Sequence, residues 1–107
     1  MENDVYNYQL YVQNLQNILV QKQSLQLQLE EIKQTVEELS KYNKDIVYKS
    51  VGPILIEKKK DDVISELNDT KEELEIKLKS IEKQEEMIKK KIDELKDKLK
   101  SYSNNGI

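Results

Sequence analysis

Two stretches of this sequence keep a heptad phase, one on each side of its single Gly-Pro step at Gly52-Pro53. In the second stretch, alternating steps of three and four land on Ile64, Leu67, Lys71, Leu74, Leu78, Ile81, Glu85, Ile88, Ile92, Leu95, Leu99 and Tyr102, and ten of these twelve are apolar. In the first stretch the same steps give Asp4, Tyr8, Tyr11, Leu15, Ile18, Lys22, Leu25, Leu29, Ile32, Val36 and Leu39, nine of eleven apolar. Apolar residues repeating at this spacing form a narrow seam that a second helix must cover. A disordered chain has no reason to hold the phase for five heptads.

Composition fits that reading. With 36% apolar and 36% charged residues and neither Trp nor Phe, the chain lacks the mass for a sphere-like core, which leaves disorder or an elongated helical form. The periodicity selects the helical form.

The two seams also fit each other. When the chain is folded at Gly52 and positions whose numbers add to 106 or 107 are paired, Leu39 meets Leu67, Ile32 meets Leu74, Leu29 meets Leu78 and Ile18 meets Ile88. Lys22 then meets Glu85, so the seams' main polar defects face each other with opposite charge. A proton relay or binding site could use such a pair, but no other polar group converges there. A register-fixing ion pair is the favoured reading. Lys71 faces Val36 and is expected to run its amine outward. The expected fold is mainly α: one domain over 1–107, a long antiparallel two-helix coiled coil with one β-hairpin at the bend. Its helices span 4–42 and 61–102, on the order of 60 Å each. The hairpin spans 46–58, and 103–107 form a flexible tail.

The helix ends carry their own signals. Asp61 and Asp62 suit an N-cap and a first-turn acid, and Asn43 can close the first helix in the left-handed conformation. Between the helices, Ile46-Val47-Tyr48-Lys49-Ser50-Val51 and Ile54-Leu55-Ile56-Glu57-Lys58 are β-branched and aromatic runs around a central turn, which reads as a hairpin of open turn geometry. Val47, Val51 and Leu55 share one parity; Ile46, Tyr48, Ile54 and Ile56 are grouped on the other face. A lone two-stranded hairpin is marginal in water. Folding back over its own helix ends could cover one face only, so the bare faces and edges call for strands from other chains.

Chemistry is hard to place here. Without cysteine or histidine there is no thiol nucleophile, no disulfide, and neither of the commonest zinc ligands. No phosphate loop, metal spacing or nucleophile–base pair occurs, so neither an enzyme nor a cofactor is expected. Lys and Arg (18) nearly balance Asp and Glu (21), without the basic excess of a nucleic-acid binder. Neither a secretory leader nor an apolar run of membrane-spanning length is present, so the expected address is the cytosol.

One asymmetry stands out. From Val5 to Leu29 the only charged residue is Lys22, and the polar positions are mostly Asn and Gln. Apolar residues also sit off the seam, among them Val5, Leu10, Val12 and Leu19. The second helix is densely charged, a pattern of solvated i,i+4 pairs. The excess apolar surface could pack on another coil, or it could touch non-native polypeptide. Fraying helix ends would add Tyr8, Tyr11, Leu99 and Tyr102 to the second possibility.

The stretch Val47-Tyr48-Lys49-Ser50-Val51-Gly52-Pro53-Ile54-Leu55-Ile56 resembles the hairpin of prefoldin β-type subunits. Leu74 to Glu86 resembles the second-helix signature of the archaeal β subunits, and the Gln-rich first helix and the chain length agree. The start of the chain, with Tyr6, Tyr8 and Tyr11, departs from the Pro- and Gln-rich start common in that family. The resemblance implies an ATP-independent holdase, a hexamer of two α-type and four β-type subunits. Its hairpins would join in a β-barrel platform through residues such as Val47, Tyr48, Val51, Ile54, Leu55 and Ile56. The coil tips would hold unfolded polypeptides and pass them to a group II chaperonin. The alternative is a homo-oligomeric coiled-coil scaffold or tether with a fixed partner.

Overall fold

A computed structural model describes the backbone of residues 2–105. The element order is α1 (Glu2–Lys41), β1 (Ile46–Val51), β2 (Ile54–Lys59) and α2 (Lys60–Asn105). The chain divides into two compact units: residues up to Ser24 with those from Leu78 on, and Leu25–Lys77.

In the first unit the helices run antiparallel, since Asp4 meets Lys98 and Tyr102 while Lys22 meets Glu85. Ile18, Glu85 and Ile92 are buried. Every other seam position of this unit is half-buried, Asp4, Tyr8, Tyr11, Leu15, Lys22, Leu78, Ile81, Ile88, Leu95, Leu99 and Tyr102 alike. The heptad pattern therefore places the covered stripe residue by residue. Helices are held this way because the seam, not propensity, supplies most of their stability.

In the second unit Leu74 is buried, and Leu25, Leu29, Ile32, Val36, Leu39, Ile64, Leu67 and Lys71 are half-buried. The Lys71 amine reaches 4.0 Å from Glu75 Oε1 with 43% of its side chain exposed, so it does run outward.

The helix ends differ from the sequence expectation. β2 passes into α2 without a spacer, and the Lys60 N–H donates to the Asp45 carbonyl at 2.7 Å. Asp61 and Asp62 consequently both lie inside the first turn, where their charge favours the helix N-terminus, rather than at the cap. Asn43 is not left-handed: no non-glycine residue among those described has a positive φ. The first helix instead closes through the Tyr42 N–H, shared between the Glu38 and Leu39 carbonyls at 3.1 and 3.2 Å. The Tyr42 carbonyl in turn accepts the Lys60 amine at 2.9 Å. At the other end, α2 continues through Ser103–Asn105, which the sequence reading placed in a flexible tail; Gly106 and Ile107 lie outside the described residues.

The hairpin turn is resolved by one dihedral. Gly52 has φ +56°, and Pro53 must hold φ near −65°. Of the two favoured two-residue hairpin turns, type I′ needs positive φ at both central residues, so the pair selects type II′. Gly52→Ala meets open space but a disfavoured backbone. It should cost about 1 kcal/mol, read as a lower melting temperature, with Gly52→Asn milder.

The turn also corrects the face grouping. The register pairs Val47 with Lys58, Tyr48 with Glu57, Lys49 with Ile56, Ser50 with Leu55, and Val51 with Ile54. Cross-strand partners share a face, and a two-residue loop joins residues of opposite parity. Leu55 therefore lies with Ile46 and Tyr48, while Ile54 and Ile56 lie with Val47 and Val51.

Candidate assembly and polypeptide-binding surfaces

The hairpin of the second unit is a sheet of only two strands, order β1-β2, so each strand has an unpaired edge within the chain. Its apolar residues are open: Tyr48 is 65% exposed, Ile54 61% and Leu55 68%, with Val51 and Ile56 also exposed. Val47 is half-buried and borders, with Leu39, Val63 and Leu67, a cleft of about 410 Å³. Lys58 is tied to Glu66 of α2 at 3.2 Å. One face thus leans partly on the helix ends through Val47 and Lys58, and the other is more open, with Tyr48 only bordering the cleft and Leu55 exposed. Open apolar faces joined to open edges are the features that pair with other strands.

The first unit contains the second surface. Val5 and Leu10 are exposed, while Val12 and Leu19 are half-buried beside the seam. Tyr8, Tyr11, Leu99 and Tyr102 are half-buried in the seam rather than frayed from it. A polar cluster holds Tyr102 there. The Tyr102 hydroxyl donates to Asp4 Oδ2 at 3.1 Å, and the Lys98 amine stands 3.3 Å from the same oxygen. Burial pushes the Asp4 carboxyl upward, but the hydrogen bonds from Tyr102 and Lys98 outweigh it and leave the group below the usual aspartate range. The partner could have been found from sequence, because the register that pairs Leu39 with Leu67 also pairs Asp4 with Tyr102. Tyr6 and Val20, at 64% and 66% exposure, are more open than Val5, Leu10, Val12 and Leu19.

Lys22 and Glu85 meet as the register requires, at 2.9 Å. The second Glu85 oxygen is 2.9 Å from Lys89, so each carboxylate oxygen takes one ammonium. Hydrogen bonding from Lys22, then from Lys89, holds the Glu85 carboxyl below the usual glutamate range. The bond to Glu85 raises the Lys22 amine. With both oxygens occupied, the pair has the character of a coil-internal lock. Among the described residues no cluster of acidic side chains is arranged to hold a metal ion. No helix is long and apolar enough to cross a membrane.

Comparison with known proteins agrees with this geometry. A family model described as prefoldin subunit matches residues 2–105. The prefoldin subunit beta of Archaeoglobus fulgidus is 37% identical over 102 residues, covering 94% of this chain and 88% of that protein. The prefoldin subunit beta of Pyrococcus furiosus is 37% identical over 92 residues, covering 85% of this chain and 79% of that protein. The crystal structure of the prefoldin beta subunit from Thermococcus strain KS-1 superimposes with a TM-score of 0.86 at 34% identity, over 94% of this chain and 89% of that one. With two helices, one hairpin and these relatives along nearly its whole length, the chain belongs to the prefoldin family and is of its beta-subunit type.

Proposed function

We propose that this chaperone-family subunit is part of an ATP-independent holdase of the cytosol. The hairpin joins β-type and α-type copies into a hexamer of two α and four β subunits, with the strands closing into a β-barrel platform. The coil of the first unit, remote in sequence from the hairpin, holds non-native polypeptide and releases it to a group II chaperonin. The observation that carries this reading is the charge-poor stretch from Val5 to Leu29, with Lys22 its one ion, over which Val5, Tyr6, Leu10 and Val20 are exposed. Apolar side chains set among carboxamides can contact many sequences without demanding a charge pattern. Val5, Tyr8, Leu10, Tyr11, Val12, Leu19, Leu99 and Tyr102 are assigned to that contact.

The assembled particle should suppress aggregation of two unrelated denatured proteins with no nucleotide present. Deleting residues 1–12 should remove most of that suppression while the helical circular dichroism of the remainder persists. Undiminished suppression by the truncated chain would overturn the assignment. Activity toward only one fixed protein would favour a scaffold or tether.

A further inference from the structure

The first unit has a groove between its helices, floored by the seam and walled by polar side chains. It measures about 390 Å³ and lies between Asn14–Gln21 of α1 and Gln84–Lys91 of α2. Its apolar lining comes from Ile18 and Ile88, with Met87, 60% exposed, beside them. Around these stand four carboxamides, Asn14, Asn17, Gln21 and Gln84, none of which hydrogen-bonds another described side chain. Each offers two donors and an acceptor. That is the complement of an extended peptide backbone, whose N–H and C=O groups need partners once an apolar surface takes them out of water.

The groove has one charge. Lys91 lines it and makes no ion pair among the described residues. Its amine sits 5.3 Å from the centre of the Tyr11 ring, a cation–π contact that fixes its position without neutralising it. Lys91 also lines a second groove of about 330 Å³ with Asn7, Tyr11, Glu94, Leu95 and Lys98. Glu94 borders only the second groove and makes no ion pair with Lys91, so on the carboxamide side the amine meets no carboxylate and is complementary to an acidic side chain.

We infer that this groove takes an extended segment of non-native polypeptide in which an aspartate or glutamate neighbours an aliphatic residue. The aliphatic side chain lies on Met87 and Ile88, the carboxylate pairs with Lys91, and the carboxamides serve the backbone between them. The inference rests on the holdase reading and adds to it a charge preference and a location.

The test uses the full-length chain and two short fluorescent peptides without structure of their own, one with a central Leu-Asp-Leu and one with Leu-Asn-Leu. By anisotropy at low salt the acidic peptide should bind about fivefold more tightly, the upper range for an exposed ion pair. High salt should shrink the margin. Lys91→Gln, at an exposed position, should keep the fold and erase the preference, and Lys91→Glu should turn it toward a Leu-Lys-Leu peptide. Equal binding of the acidic and amide peptides by the unmodified chain, or a preference that survives Lys91→Gln, overturns the inference. So does a change of particle mass in Lys91→Gln, which would mark the groove as a contact between copies. Aggregation suppression measured on the same sample separates the two readings. Suppression without acidic preference sinks the groove alone, and neither suppression nor peptide binding sinks both.

Discussion

Ile54→Lys combined with Leu55→Lys should reduce the assembled particle to protomers by light scattering while leaving the helical signal of each protomer intact. Both side chains are largely exposed, at 61% and 68%, so nothing inside the protomer depends on them. The type II′ turn and the Val51–Ile54 register put them on opposite faces of the hairpin. Whichever face enters an intersubunit core, the double variant places an ammonium in it. Burying an unpaired charge costs far more than a hairpin contact returns. The single variants then separate the faces. If the Val47, Val51, Ile54 and Ile56 face is the one enclosed, Ile54→Lys disassembles the particle and Leu55→Lys is tolerated. If the Ile46, Tyr48 and Leu55 face is enclosed, the order reverses. A particle of unchanged mass in the double variant would remove the hairpin from assembly altogether.

What the sequence reveals of this fold follows from which features are periodic. A coil seam repeats, so each further residue confirms the phase, and all seam positions from Asp4 to Tyr102 are covered in the structure. The Lys22–Glu85 contact follows from the same register. Features decided once, by a single dihedral or a single hydrogen bond, are less legible. The face on which Leu55 lies depends on the turn having two residues, which the strand runs alone do not state. The start of α2 depends on Lys60 binding back to Asp45, where the two aspartates suggested a later cap. The register brings Asp4 opposite Tyr102, but the hydrogen bond between them and the part of Lys98 depend on side-chain reach that spacing does not state. Lys91 is one of many lysines on a charged helix, and only the ring of Tyr11 and the adjoining carboxamides distinguish it. Sequence spacing cannot show that a particular lysine makes no ion pair.

Lys22→Glu should lower the melting temperature of the coil by on the order of 5 °C or more and invert its response to acid. In the unmodified chain Lys22 is 26% and Glu85 10% exposed, and their contact is 2.9 Å. Glu85, held low, contributes stability above the ordinary glutamate pKa that is lost as pH falls through its depressed value. Lys22, held high, contributes stability below the ordinary lysine pKa that is lost as pH rises through its raised value. The pair is therefore fully effective around neutrality, and its contribution is lost in acid. In the variant two carboxylates confront each other, with Lys89 alone to satisfy them. Like charges at this separation favour protonation of one, which raises its pKa in the folded state. A raised folded pKa makes stability fall as pH rises, so the variant should gain stability on mild acidification where the unmodified chain does not. Lys71→Glu is the matched control, a seam lysine whose amine already points outward near the half-exposed side chain of Glu75, and solvent screening there should make both the cost and the inversion much smaller. Melting curves from neutral pH down through the glutamate range decide the matter: equal curves for Lys22→Glu and the unmodified chain would mean that the pair neither fixes the register nor carries the charge balance of the seam.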